Sequence, residues 1–215
     1  MREALIVRGG WSGHEPMQCG DILAGMLRDA GFAVRIEGST EAFADPALKH
    51  LSLVVPIMTM SKIGNEELAN LTAAVRGGVG LAGYHGGMCD AFRDATEYQF
   101  MCGGQWVAHP GGIIDYHVDV TRPDDPVMEG IERFDYRSEQ YYMHVDPSNE
   151  VLATTTFSGA HAPWIDGVVM PVVWKRRYGK GRVFYCSLGH VSAEFRVPQM
   201  RTIIQRGMLW AAAGD

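Results

Sequence analysis

The sequence predicts an α/β fold built on a mostly parallel sheet covered on both faces. Three observations carry that reading. Short apolar runs alternate with helix-period segments through the first half of the chain. Those runs are nearly continuous in apolar residues, as in strands buried on both faces. Glycine-rich turns then join strand to helix, the setting in which open α/β sheets keep their sites.

Ala4 to Val7 is the first buried strand, followed by the loop Gly9-Gly10-Trp11-Ser12-Gly13-His14-Glu15. A helix starts near Pro16, whose fixed φ suits a first turn. Ile22, Leu23, Met26, Leu27 and Ala30 keep helical spacing, and Gly31 ends the helix. Phe32 to Ile36 is the second strand and Leu51 to Pro56 the third. Asn65 to Val75 is a helix opened by Asn65-Glu66-Glu67 and closed by Gly77-Gly78. Val79-Gly80-Leu81-Ala82 is the next strand.

The second half changes character, with additional antiparallel strands. From Ile113 to Thr121 the chain alternates, with Ile114, Tyr116, Val118 and Val120 on one face and Ile113, Asp115, His117 and Asp119 on the other. Val151 to Phe157, Val168 to Trp174 and Arg182 to Ser187 are further strands. Tyr178-Gly179-Lys180-Gly181 is a hairpin turn. An amphipathic helix from Pro198 to Ala213 turns Ile203, Ile204, Met208, Leu209 and Trp210 inward. Neither a repeat nor a linker interrupts the chain, so residues 1–215 read as one domain.

Composition narrows the function. A net charge of −6 and the lack of a basic block argue against nucleic acid and anionic membranes as partners. Lys175-Arg176-Arg177 reads as the polar end of a strand pair. No apolar run is long enough to span a bilayer, and the N-terminus shows no signal-peptide core. Cys19, Cys89, Cys102 and Cys186 are widely spaced and form no C-x-x-C pair, as expected of reduced thiols in the cytoplasm.

Gly83-Tyr84-His85-Gly86-Gly87 is the most informative stretch. Strand, sharp turn and helix, with glycine on both sides of a central residue, describe a nucleophile elbow. Here His85 stands where the nucleophile would. A helix N-terminus suits a neutral imidazole, which can accept a proton, donate a hydrogen bond or bind a metal. Loops after parallel strands gather on one edge, so His14, His85 and His190 are expected to converge. Glu139 or Glu194 would orient them or complete a coordination shell. His50 and His161 read as solvated, and His117 and His144 as surface positions on strands.

These segments, in order, resemble the ThuA-like (trehalose utilisation) family of the class I glutamine-amidotransferase-like superfamily. The matching stretches are Gly13-His14, the elbow at 83–87, Gly103-Gly104-Gln105-Trp106-Val107-Ala108-His109-Pro110, and Ser138-Glu139-Gln140-Tyr141-Tyr142. Pro171-Val172-Val173-Trp174, Tyr178-Gly179-Lys180-Gly181-Arg182-Val183 and Leu188-Gly189-His190 extend the match over nearly the whole chain. The resemblance implies a flavodoxin-like three-layer sandwich and a role in sugar catabolism. Glutamine amidotransferases carry Cys at the elbow, so His85 argues against amide hydrolysis through a thioester.

The expected function is therefore an enzyme acting on a keto-sugar or glycoside such as a trehalose derivative, by lyase, hydrolase or isomerase chemistry. A divalent metal, zinc or manganese, would be held by His14, His85, His190 and Glu139; no nucleotide cofactor is expected. His85, His190, Glu139 and Glu194 are the candidate catalytic residues. Trp11, His109, Tyr141 and Trp174 are candidate sugar-binding residues, flat rings on which a pyranose can stack. The alternative is a non-catalytic sugar-binding or scaffolding protein. The aromatic and Met-rich segment from Tyr136 to Met143 makes a homodimer plausible.

Overall fold

Parallel strands from the first half of the chain pair with a strand from its end in the computed structural model, which describes residues 2–214. In chain order the first half forms β1 (Arg2–Arg8), α1 (Pro16–Asp29), β2 (Phe32–Glu37), β3 (Leu53–Ile57), α2 (Asn65–Gly77), β4 (Gly80–Tyr84) and α3 (His85–Cys89). Next come α4 (Thr96–Cys102), β5 (Gly104–Ala108), β6 (Ile113–Val120), β7 (Phe134–Glu139) and β8 (Tyr142–Val145). The chain closes with β9 (Glu150–Thr156), β10 (Val169–Tyr178), β11 (Gly181–Cys186) and α5 (Pro198–Ala211). For β1 to β4, β6, β9 to β11 and the helices α1, α2 and α5 these bounds match the sequence expectations to within a few residues, whereas α4, β5 and β7 were not anticipated.

The main sheet has nine strands in the order β2-β1-β3-β4-β11-β10-β9-β6-β7. From β2 to β11 every pairing is parallel, and from β11 to β7 every pairing is antiparallel. Two strands, β10 and β6, therefore run against the others. The period of two along β1 splits its side chains between two cores. Ala4 and Ile6 pack with Leu23, Leu27, Ile203 and Met208 of α1 and α5. Leu5 and Val7 pack on the other face with Leu71, Val75 and Met101 of α2 and α4. That arrangement is the three-layer sandwich.

The antiparallel half departs from a simple extension of the sheet. Whereas β6 and β7 pair over six residues, β6 meets β9 only at Asp119↔Thr154 and Val120↔Ala153. Five steps of about 4.8 Å would hold β7 some 24 Å from β4 in a flat sheet. Yet Glu139 at the end of β7 contacts His85 just after β4, so the β6–β7 hairpin curls back over the sheet's carboxyl edge.

Several expectations need adjustment. Leu209 and Trp210 are half-buried rather than core residues. Lys175 and Arg176 are buried and ion-paired, Lys175 with Asp125 and Arg176 with Asp146, so they are not a loose polar end. Tyr136, Tyr141 and Met143, the basis for expecting a homodimer, are buried within this one chain. A second small sheet of β5 and β8 was not anticipated.

Candidate metal centre

The elbow places His85 at the junction of β4 and α3 with φ +46°, a left-handed conformation that a side chain bearing Cβ adopts only under constraint. Neighbouring glycines make the turn possible. A Cβ on Gly87 would lie 3.1 Å from the Ile57 backbone, and one on Gly86 would lie 2.6 Å from Cε1 of His14. The His85 carbonyl accepts a hydrogen bond from the Tyr185 hydroxyl at 3.0 Å. One face of its ring stacks on Tyr141, with centroids 4.1 Å apart.

His14, on the short helical turn Ser12–His14 after β1, is buried with Nδ1 at 2.9 Å from the Thr59 hydroxyl. That contact turns Nε2 toward Glu139, 3.9 Å from its Oε2. His190 follows β11 and lies with Nδ1 3.4 Å from the same oxygen. The His14 ring lies 4.7 Å from that of His85 and 5.0 Å from that of His190. One donor atom from each of His14, His85, Glu139 and His190 falls within 4.8 Å of every other. Three neutral nitrogens and one carboxylate are a donor set suited to zinc or another divalent transition metal.

Hydrogen-bond chemistry tests the fit of a cation here. His85 Nδ1 lies 2.7 Å from the Ser187 carbonyl, which can only accept, so Nδ1 carries a hydrogen. Nε2 then faces Glu139 Oε2 at 3.1 Å. In a neutral ring both atoms are acceptors, and such a pair requires a proton or a cation between them. A buried backbone carbonyl on the far nitrogen is also how metal-binding histidines are commonly oriented. The residues fit a metal ion.

Electrostatics agree. Burial alone would raise the Glu139 carboxyl, but the His190 and His85 rings beside it hold it well below the usual carboxylate range. Burial, reinforced by His85 and His190, lowers His14 to about 3, so this ring stays neutral and ready to donate its lone pair. His190 is lowered by burial but raised more strongly by Glu139, with Glu194 and Glu15 adding to the effect.

A family model described as trehalose utilisation matches residues 3–211. The chain belongs to the ThuA family. Its fold is shared by a ThuA-like protein from Parabacteroides merdae ATCC 43184, with TM-score 0.80 and 20% identity over 99% of this chain and 90% of that one. A second, from Bacteroides uniformis ATCC 8492, gives TM-score 0.80 and 17% identity over 98% and 91%. A β-galactosidase from Bacillus circulans sp. alkalophilus aligns 98% of this chain with 30% of its own, at TM-score 0.58 and 12% identity. Comparison with curated protein sequences finds no match. No helix among the described residues is long and apolar enough to cross a membrane.

Other anticipated site residues of this ThuA chain fall in different places. Glu194 lies outside the cluster of donor atoms; its carboxylate accepts from the His190 backbone N–H at 3.0 Å, the Tyr136 hydroxyl at 2.5 Å and the Ser138 hydroxyl at 2.8 Å. His109 is half-buried, with Nε2 3.6 Å from Oε1 of Glu139, the oxygen turned away from the other three histidines. Trp11 is 46% exposed at the mouth, its edge against His14. Two aromatic assignments are corrected. Trp174 is fully buried, donating its indole N–H to the Cys102 carbonyl at 3.0 Å and packing on Tyr185. Tyr141 is also buried and supports His85, so neither ring presents a face to a sugar.

His50, His144 and His161 are exposed, and His117 pairs with Asp135 on the surface. Sequence reasoning missed Thr59, Ser187 and Glu15. Ser187 acts through its carbonyl, which no side-chain pattern can signal. Thr59 does follow an apolar strand, as His14 and His190 do, and that position was the available clue.

Proposed function

We propose that this protein is a metal-dependent enzyme of carbohydrate catabolism acting on a keto-sugar or glycoside, such as a trehalose derivative. Zinc or manganese would be held by His14, His85, Glu139 and His190. The observation that carries the reading is the facing of His85 Nε2 and the Glu139 carboxylate, with two more imidazoles on the same oxygen. Carbohydrate as the substrate class rests on the family's trehalose-utilisation description. No reading through a thioester is favoured, since His85 occupies the elbow and burial pushes the neighbouring Cys89 thiol well above its usual range.

When bound, the metal would act as a Lewis acid on a carbonyl oxygen and stabilise charge developing there. His109, half-buried with Nε2 3.6 Å from Glu139, would be the base that takes a proton from the carbon next to a keto group. As that proton leaves, the C–H electron pair would form a C=C bond, the C–O bond at the glycosidic position would break, and the oxygen would depart with its electron pair and take up a proton. Trp11, half-exposed beside His14 and His190, would offer its indole to the sugar ring. Glu194 fixes the backbone of the His190 turn. The reading includes lyase, hydrolase and isomerase outcomes, a small sugar as the partner rather than nucleic acid or membrane, and a cytoplasmic setting.

The test is to strip the protein of metal, add back Zn²⁺ or Mn²⁺, and follow the release of monosaccharide from a 3-keto-disaccharide. Unchanged substrate under all metals would remove the keto-sugar reading. A ligand-induced rise in Tm without any product would instead mark a sugar-binding protein.

A further inference from the structure

The turn that carries His190 is tied to the rest of the site by two carboxylates. Glu194 holds the His190 backbone N–H and, through Tyr136 and Ser138, binds that turn to β7, the strand that carries Glu139. The second carboxylate belongs to Glu15. Its Oε2 accepts from both the backbone N–H of Ser192 at 2.9 Å and the Ser192 hydroxyl at 2.6 Å. The two residues are 177 positions apart in the chain. They join the loop after β1, which bears His14, to the turn after β11, which bears His190.

Glu15 occupies this position against its backbone preference. Its φ is +47°, in the left-handed region where glycine or asparagine is the easier choice. It sits at the junction of the His14 turn and α1, and Pro16 follows directly. Glycine at that junction would relieve the backbone but could not reach Ser192. A strained residue whose side chain closes a contact between two ligand-bearing loops points to a function for that contact.

We infer that Glu15 is a positioning residue for the metal centre: its clasp on Ser192 sets the separation of His14 and His190. The inference rests on the metal-binding reading above. Glu15 touches neither His14 Nε2 nor Glu139, so it acts through the two loops and contributes no ligand. With the clasp closed, the His14 and His190 rings stand 5.0 Å apart before any metal arrives. With it open, the loop after β1 and the turn after β11 lose these two hydrogen bonds to each other, and the spacing of His14 and His190 must be set as the metal binds.

The experiment uses the full chain stripped of metal by a chelator and dialysed. Zn²⁺ affinity is measured by competition with a chromophoric chelator, and the urea midpoint of the metal-free protein is measured alongside it. Glu15→Gly, which removes both hydrogen bonds, should weaken Zn²⁺ binding about tenfold, the scale seen when residues that orient metal ligands are removed. Ser192→Ala, which leaves the backbone N–H bond to Glu15, should weaken it by less. The double variant should be no weaker than Glu15→Gly alone, because that change already removes both hydrogen bonds of the clasp. Ser192→Thr, which keeps the hydroxyl, should restore affinity. Glu15→Gly also relaxes the backbone, which guards the test against a variant that fails to fold. If the variants bind Zn²⁺ as tightly as the parent and only their urea midpoints fall, the clasp is a structural tie and the inference is overturned. If the parent itself binds neither Zn²⁺ nor Mn²⁺, the metal-binding reading falls and takes the clasp's role with it.

Discussion

The parallel half of the sheet delivers three imidazoles from the carboxyl ends of β1, β4 and β11, whereas the antiparallel half delivers one carboxylate from β7, the far edge strand. The imidazoles arrive by topology. Strands pointing the same way end on the same edge, and the loops that follow them meet there. Glu139 arrives by curvature, because the β6–β7 hairpin is attached to β9 through two residue pairs and bends back. The parallel half therefore supplies a framework of imidazoles that any sandwich of this topology could hold. The antiparallel half supplies the anion that would complete a site for a cation.

The strongest way to break that comparison is His85→Ala, which removes the proposed ligand that is most buried and most firmly oriented. Metal affinity should fall by more than about 100-fold, beyond the range expected for orienting residues alone. Metal content of purified protein reads the result. Glu139→Gln keeps the shape of the side chain while removing its charge, and should weaken the metal by about 10- to 100-fold. Unchanged affinity would remove the antiparallel half from the site.

Trp174→Ala separates folding from function within the same half. Losing a fully buried indole should cost about 3–5 kcal/mol in urea unfolding, while metal stoichiometry in the folded protein stays at the parent value. Trp11→Ala is the converse, with stability within about 0.5 kcal/mol of the parent because the residue is exposed. A weaker sugar-induced rise in Tm would place Trp11 at the ligand.

The pH dependence of the metal-free protein gives a smaller effect with a definite sign. His14 is lowered from 6.5 to about 3, so the unfolded chain takes up a proton that the folded chain refuses as pH falls through that window. Stability from this group is full above pH 6.5 and declines toward pH 3. Glu139 acts in the same direction, since its stabilisation is present above its ordinary value of 4.5 and is lost on acidification. His190 opposes them, with a contribution present below 6.5 and lost as pH rises through its raised folded value. Urea midpoints between pH 4 and 8 should therefore fall on the acid side, and less steeply in His14→Phe.

Much of the fold was legible because its signals are local. Apolar runs at 4–7 and 51–56, the glycine pair after α2 and the alternation along β6 each report on their own segment. His14, His85 and His190 were legible as a group because each follows such a strand. Alternation says which face a residue takes but not how far a sheet coils, so the return of the β6–β7 hairpin left no local trace. The β5–β8 pair was missed because β5 is five residues long and its register shifts between Trp106 and Ala108. Helix α4, at seven residues, is too short for a helical period to show. Trp174 and Tyr141 were misplaced since an aromatic ring has the same letter at a rim as in a core.

Gly86 leaves no room beside His14: one added carbon would stand 2.6 Å from that imidazole. For a lineage that carries this elbow, a single-nucleotide change from glycine to alanine is enough to crowd the ligand set while the strands beneath it stay paired. The site can thus be lost in descent by one methyl group, long before the sandwich itself is at risk.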